Sequence, residues 1–311
     1  MNTHSLDLYS NKENQISKKT PRVAENRFRS FGHDITNITL RPLDIDSQDS
    51  FDPQRLGYYA HDIFNYLQSI EKLYIPREGY MRRQHEINEG MRAILIDWVI
   101  EVHLKFKLLP ETLYLAVNLI DRYLEIVNVS TSILQLIGVS ALLIACKYEE
   151  IYFPDIKDLA KITDDTYTKA EILEMEAKIL STLQYNITTP SSFRFLERYS
   201  RLCEFEEKDF HFAQYLIEMT LMEYKMIKFS PSIIAISAVY LTNKLNDVKD
   251  LLPSALIEQT KYSKQDLKAC TKELQLCLQN IKHAQQHALV KKFSLPRFSE
   301  VAKSVNLGTY L

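Results

Sequence analysis

Met91-Arg-Ala-Ile-Leu-Ile-Asp-Trp-Val-Ile-Glu101 reads as a helix that is apolar on two sides. At 100° per residue Met91, Ile94, Leu95, Trp98 and Val102 share one side, and Ala93, Ile96, Ile100 and Leu104 line the other. A helix of that kind is either buried in a core or serves two surfaces at once. Arg92 falls between Val99 and Ile96 on the wheel. A guanidinium among aliphatic side chains needs a carboxylate, because an unpaired buried charge costs several kcal/mol. Asp121, on the next helical segment (Leu113 to Leu124), is the candidate partner, which makes Arg92–Asp121 a structural ion pair. Two apolar faces around one internal cation are the features of a binding platform.

The totals limit the alternatives. A chain of 311 residues has room for two domains with substantial cores. Its formal net charge of −2, from 38 basic and 40 acidic residues, provides no field for wrapping nucleic acid. Hydrophobic residues at 46% and aromatics at 11% indicate a globular protein. The four cysteines, Cys146, Cys203, Cys270 and Cys277, form no CxxC pair and lie in apolar helical contexts, so buried reduced thiols in an intracellular protein are expected. The polar N-terminus has no signal-type apolar region, and the best apolar run, Ile133 to Cys146, is expected to be too short to span a bilayer. Six widely spaced glycines cannot build a phosphate-binding loop, which removes P-loop and dinucleotide-binding enzymes, and they argue against a turn-rich β fold.

Residues 1–55 are polar and aperiodic and read as a disordered tail. A helical segment follows from Tyr58 to about Ile70, with Tyr59, Ile63, Tyr66, Leu67 and Ile70 at helical spacing, closed by Pro76 and Gly79. Asn88 is the expected N-cap of the central helix, with Glu89 where the helix dipole favours an anion. Further helices are expected over 111–127, 131–149, 155–161 and 168–183, then 190–203, 207–226, 231–245, 251–260 and 263–287. Tyr167-Thr-Lys-Ala-Glu-Ile172 echoes Tyr262-Ser-Lys-Gln-Asp-Leu267, and Ser140 through Lys147 echoes Ser237 through Lys244. Offsets near 95 residues fit a duplicated five-helix domain. The expected fold is all-α, two helical lobes in tandem.

Five blocks then carry a family resemblance. Met91-Arg-Ala-Ile-Leu-Ile-Asp-Trp98, Glu111-Thr-Leu-Tyr-Leu-Ala-Val-Asn-Leu-Ile-Asp-Arg-Tyr123, Leu134-Gln-Leu136, Cys146-Lys-Tyr-Glu-Glu-Ile151 and Ile162-Thr-Asp-Asp-Thr-Tyr-Thr-Lys169 resemble the signature blocks of mitotic cyclins, in family order. The resemblance covers about residues 57–290, and Asp62-Ile-Phe-Asn-Tyr-Leu67 with the tail tripeptide Lys12-Glu13-Asn14 points to the B-type. It implies two tandem five-helix cyclin boxes, at 88–187 and 188–290. An N-terminal helix and linker (56–87) would precede them and a C-terminal extension (291–311) would follow. It also implies a regulatory subunit, not an enzyme and without a cofactor, acting in G2/M through a cyclin-dependent Ser/Thr kinase. Residence in nucleus and cytoplasm is the accompanying expectation.

The resemblance also implies sites. Lys147 and Glu176 correspond to a Lys–Glu pair that hydrogen-bonds the kinase beside its regulatory helix, and Tyr148, Glu149 and Tyr185 to neighbouring contacts. Tyr59, Ile63 and Tyr66 match further contacts in the N-terminal helix. The residues speak to this independently: Glu176 lies in the stripe of Ile172, Ile179 and Leu183, where a carboxylate needs a partner, and Lys147 sits at a helix C-terminus that favours a cation. Glu149 and Glu150 at that same end are not favoured, a hint of use outside the helix. The alternative is that Lys147 and Glu176 only pair within one lobe. For Tyr59, Ile63 and Tyr66 it is an amphipathic helix lying on its own box. A second site, for Arg-x-Leu type peptides of substrates or inhibitors, would comprise Met91, Ile94, Leu95, Trp98, Glu101 and Gln135, with leucine in the apolar groove and arginine on the carboxylate. Core packing is the alternative there. Thr131 stands where some relatives carry a basic residue.

Lys12-Glu13-Asn14 resembles a degradation signal read by a ubiquitin ligase of the anaphase-promoting type. Arg29 to Asn37 loosely resembles a destruction box, with Gly32 in place of its usual leucine, and Thr20-Pro21-Arg22 has the form of a proline-directed phosphorylation site. Other classes leave different marks. A transcription factor with cyclin-like lobes would bring a zinc ribbon and a basic face. A metalloenzyme would need a third ligand beside the i, i+4 pair His283 and His287, and a helical scaffold would not explain Lys147, Glu176 and the docking side together. No nucleic-acid or membrane partner is expected.

Overall fold

The computed structural model describes residues 45–49, 57–281 and 288–304. Two short helices come first, α1 (Ile45–Asp49) and α2 (Gly57–Ile70). The first lobe comprises α3 (Glu89–Phe106), α4 (Pro110–Ile126), α5 (Leu134–Glu149), α6 (Ile156–Ile162) and α7 (Lys169–Thr182). The second comprises α8 (Ser192–Leu202), α9 (Glu207–Met222), α10 (Pro231–Leu245), α11 (Ser254–Thr260) and α12 (Lys264–Asn280). A C-terminal strap, α13 (Ala288–Phe293) and α14 (Val301–Ser304), completes the described chain. The tail tripeptide Lys12-Glu13-Asn14, the stretch Arg29 to Asn37, Thr20, His283 and His287 lie outside the described residues.

Local chemistry sets the helix ends. The Asn88 side chain accepts the Met91 N–H at 3.0 Å and so caps α3, and Pro110 opens α4 at a position where its missing N–H costs nothing. Thr168 with Glu171 forms a capping box at the start of α7, and Ser263 with Asp266 repeats it 95 residues later at α12. The preceding tyrosines repeat as well. Tyr167 Oη donates to the Ser132 carbonyl just before α5, and Tyr262 Oη lies 2.9 Å from Ser232 Oγ at the start of α10. The duplication is therefore structural down to individual hydrogen bonds.

In each lobe the third helix is the core. From Leu136 to Cys146 every residue of α5 is buried, and Ile234–Ala238 with Val239 and Leu241 do the same in α10. By length and composition Thr131–Glu149 could cross a bilayer, contrary to the expectation from the shorter run, but most of it is enclosed by the other helices of its lobe. Gly138 lets α5 approach α3 closely: a Cβ there would come within 2.7 Å of Leu95 Cδ1. The four cysteines are free, three of them buried, and burial pushes each thiol up to about 12, which leaves them protonated.

Two expected boundaries are corrected. The disordered tail expected over 1–55 includes the helical turn α1, where Ile45 is buried, Asp46 pairs with Arg198 and Asp49 with Arg201 of α8. The expected helix 207–226 ends at Met222, and a 3-10 turn covers Tyr224–Lys228. The Met222 carbonyl accepts from Arg92 Nη1 at 3.2 Å instead of continuing the helix.

That contact belongs to the junction of the molecule. Arg92 is 1% exposed, with Nε and Nη2 donating to Asp121 Oδ1 and Oδ2 at 2.6 and 2.7 Å. Tyr80 Oη donates to the same Oδ1 at 2.8 Å, and the Met81 N–H donates to Tyr224 Oη. Although burial opposes its charge, the Asp121 carboxylate holds the Arg92 guanidinium above its ordinary value. The linker, α3, α4 and the end of α9 thus meet on one cation. Replacing Asp121→Ala strands that cation and is expected to lower unfolding free energy by about 3–5 kcal/mol; urea denaturation monitored by circular dichroism measures it, and a change below about 1 kcal/mol would contradict this account of the junction.

Candidate interaction surfaces

α5 and α7 pack side by side, and their edge carries the pair expected from sequence. Lys147 Nζ donates to Glu176 Oε1 and Oε2 at 2.7 and 2.8 Å. The lysine side chain is 41% exposed and the glutamate 11%, so the pair lies at the surface with the cation outermost. Ile172, Met175 and Ile179 are buried beneath Glu176 and fix the α7 face that holds it. An ammonium has three N–H groups and two are used here; the remaining donor and the second lone pairs of the carboxylate stay available to a visitor.

Exposed apolar side chains adjoin the pair. Ile151 and Tyr152, just past the end of α5, are 86% and 92% exposed, and Phe153 and Tyr148 are about half exposed. Leu173, also about half exposed, lies one turn before Glu176 on α7. Tyr185 is 70% exposed, on a left-handed turn with φ 58° that ends α7. Tyr148 Oη hydrogen-bonds Thr188 Oγ1, which restrains its ring. Apolar side chains this exposed and this close in the chain mark an interaction surface. Ile151, Tyr152, Phe153 and Leu173 were not singled out from sequence, although three consecutive apolar residues directly after a helix and before Pro154 are themselves a signal.

The two acids at the end of α5 have different surroundings. Glu150 is used inside the chain: its Oε1 accepts the Leu109 N–H at 2.7 Å and the Thr112 hydroxyl at 2.6 Å, capping α4. Glu149 is half-buried. Burial, then the carboxylates of Glu111 and Glu150, push its carboxyl up, against the opposing pull of Arg194. It faces those groups of its own chain.

For α2 it is the alternative that fails: the helix packs through Ala60 and Phe64 rather than through Tyr59, Ile63 and Tyr66, and it lies on the second lobe. The Phe64 ring is 6.1 Å from that of Phe195 and under the Arg198 guanidinium at 5.6 Å, and Gln68 Nε2 donates to the Thr260 carbonyl. At its C-terminal end Glu71 is buried and accepts the Ser232 N–H and hydroxyl at 2.9 and 2.7 Å, which anchors the linker to the start of α10. Tyr59 and Tyr66 remain exposed and Ile63 half-buried.

The second surface is a groove of about 330 Å³ lined by Met91, Ile94, Leu95, Trp98, Thr131, Leu134 and Gln135. Leu95 and Leu134 are buried and form its floor, Met91 and Trp98 are partly covered, and Ile94 is 60% exposed. The expectation of one wholly exposed side is thereby modified: Leu95 contributes from below, pressed against Gly138. Glu101, outside the lining, follows Trp98 by one turn on the same side of α3, with Lys291 Nζ at 3.9 Å from its Oε1. Among the described residues no group of three His, Cys, Asp or Glu side chains could hold a metal ion.

Comparison with known proteins joins these observations. Residues 62–188 match the family model described as the cyclin N-terminal domain, and 189–307 the cyclin C-terminal domain. The G2/mitotic-specific cyclin-B of Dictyostelium discoideum is 38% identical over 269 residues, covering 86% of this chain and 62% of that protein. The G2/mitotic-specific cyclin-B2 of Oryzias javanicus is 39% identical over 270 residues, covering 85% of this chain and 69% of that one. The chain therefore spans between about three fifths and seven tenths of these relatives' length. The X-ray structure of a viral cyclin from herpesvirus saimiri superposes with a TM-score of 0.62 at 21% identity, over 70% of this chain and 96% of that one, and so shares the fold.

Proposed function

The chain belongs to the cyclin family, among its B-type members, and from that premise we propose that it is the activating and substrate-recruiting subunit of a cyclin-dependent Ser/Thr kinase acting at G2/M. It performs no chemistry itself. The observation that carries the reading is the Lys147–Glu176 pair held at the surface between α5 and α7, with the exposed Ile151, Tyr152 and Phe153 following shortly after Lys147 in the chain. A kinase is active only when its strand lysine pairs with the glutamate of its regulatory helix. A surface that binds that helix in its inward position shifts the population, and moving it from 1:99 to 99:1 needs about 5.5 kcal/mol of differential affinity. Aromatic or aliphatic anchors that are buried only against the inward helix, each worth on the order of 2 kcal/mol at a hot spot, would be the main source of that difference. Tyr148, Tyr152 and Phe153 are the candidates, with Tyr185, Tyr59, Ile63 and Tyr66 as further contacts and Glu149 a secondary one. The free donor of Lys147 and the acceptors of Glu176 would meet the kinase backbone.

The groove over α3 then recruits Arg-x-Leu segments of substrates or inhibitors. Leucine would enter between Ile94, Trp98 and Gln135 above Leu95, and arginine would reach Glu101, the charge at the rim that commits the groove to a basic peptide. Lys12-Glu13-Asn14 would present the chain to an anaphase-promoting ubiquitin ligase at mitotic exit. The complex would work in both nucleus and cytoplasm.

Lys147→Ala with Glu176→Ala should abolish kinase association and activation in a pull-down with purified components. Tyr152→Ala, at so exposed a residue, should weaken association about tenfold or more while leaving the thermal midpoint unchanged. Undiminished association of both variants would sink the assignment. Met91→Ala with Trp98→Ala should spare phosphorylation of peptides without Arg-x-Leu and reduce it on peptides with that motif; equal loss on both would point to damaged folding. Finally, a tagged chain with alanine at positions 12, 13 and 14 should persist past mitotic exit, and its disappearance on the wild-type schedule would remove the degradation claim, while imaging the same chain checks the two compartments.

A further inference from the structure

The acidic rim of the groove is shared with the strap. Within α13 the register is set from the inside. Lys292 is 1% exposed, and its Nζ donates to Glu218 Oε1 and Oε2 at 2.8 and 2.7 Å. Phe293, fully buried, packs on Tyr215 and Phe298 at 5.2 and 5.0 Å. With two successive residues held inward, the one before them is turned out, and the Lys291 side chain is 68% exposed with Nζ 3.9 Å from Glu101 Oε1. One turn earlier on α3, Asp97 Oδ1 accepts the Ala288 N–H at 3.0 Å and ties the first residue of α13 to the same helix. Asp97 and Glu101 are therefore both in contact with the strap. The groove lining itself, from Met91 to Gln135, carries no charged side chain, and the Thr131 hydroxyl is donated to the Glu86 carbonyl.

We propose that Lys291 is a specificity determinant of the docking groove, a built-in competitor for Glu101 that favours peptides carrying an acidic residue beside their arginine. The inference rests on the docking reading of the groove. An ammonium at 3.9 Å between two exposed side chains is weakly held, so it tunes entry without blocking it. An arriving arginine offers two parallel N–H groups to the carboxylate and displaces the single point charge. The displaced ammonium then stands next to the arginine. A plain Arg-x-Leu peptide leaves these two cations facing each other, whereas an Asp or Glu beside the arginine gives Lys291 a new partner. The groove would thus read a charge pair ahead of the leucine.

The test uses the full chain and three synthetic peptides by fluorescence anisotropy: Arg-x-Leu, Ala-x-Leu, and Arg-x-Leu with glutamate next to the arginine. In the wild-type chain the glutamate-bearing peptide should bind tighter than the plain one. Lys291→Gln should tighten the plain arginine peptide by about 1.5- to 5-fold, leave the alanine peptide unchanged and remove the advantage of the added glutamate. These differences should shrink as salt rises. Unchanged binding of all three peptides in Lys291→Gln, or an equal change in all three, overturns the role of Lys291 while leaving docking intact. Failure of the wild-type chain to bind any of them, or binding that ignores Ile94→Ala, overturns the docking reading itself and this inference with it.

Discussion

The guanidinium of Arg92 is the point on which the rest of the molecule depends. A charge with 1% exposure is tolerable only when its donors are satisfied, and here Asp121 takes two of them and the Met222 carbonyl a third. These partners come from α4 of the first lobe and the end of α9 of the second, and Tyr80 of the linker joins through the same carboxylate. The contacts that satisfy Arg92 thereby tie the two lobes and the linker together. The far end of α3 is held differently. His103 is buried, its Nε2–H donates to the Leu109 carbonyl at 2.9 Å, and burial followed by the nearby Lys292 pushes it down to about 3, so it stays neutral. With α3 pinned at one end by an ion pair and at the other by a neutral ring under the strap, its remaining side can stay open as a groove without loosening the helix.

Duplication makes the Lys147–Glu176 pair informative. The 95-residue offset of the capping boxes places Ile172, Met175 and Ile179 of α7 on Leu267, Cys270 and Leu274 of α12, and all six are buried. The same offset places Glu176 on Thr271, a buried residue whose hydroxyl has no hydrogen-bond partner. Lys147 corresponds to Lys244, which is exposed. The second lobe thus forms the same helix pair without the carboxylate. A Lys–Glu pair is not required to build this lobe, and its presence in the first calls for an explanation outside folding. Exposed Ile151, Tyr152 and Phe153 beside it supply one.

What was legible in the sequence, and what was not, follows from the range of the interactions. Periodicity showed the helices and the internal cation, because each depends on residues within a few turns, and the lobe repeat showed as short motifs echoed about 95 residues apart. Glu176 stood out because a carboxylate in an apolar stripe is locally anomalous. The packing face of α2 did not stand out. The stripe of Tyr59, Ile63 and Tyr66 and the stripe of Ala60, Phe64 and Leu67 are one residue apart on the wheel, and only the distant Phe195 and Arg198 decide between them. The Asp46–Arg198, Glu71–Ser232 and Lys292–Glu218 contacts join residues 152, 161 and 74 positions apart, beyond any local pattern. Glu150 is unfavourable for its own helix and is used outside it, at the N-terminus of a neighbour.

The two surfaces are joined by one rigid element. Leu134 and Gln135 at the start of α5 line the groove, and Lys147 at its end carries the exposed pair. Thirteen residues at 1.5 Å each set these ends about 20 Å apart. Between them the helix is buried without interruption, with Gly138 seated on α3, so the separation is fixed by the core. On the proposed reading a substrate held by its docking segment is therefore tethered at a constant distance from the kinase. The gain is an effective concentration set by the peptide between docking segment and phosphoacceptor, with no conformational signal passing through the lobe. Substrates whose two sites are too close in sequence to span the gap would lose that gain even with an optimal docking segment.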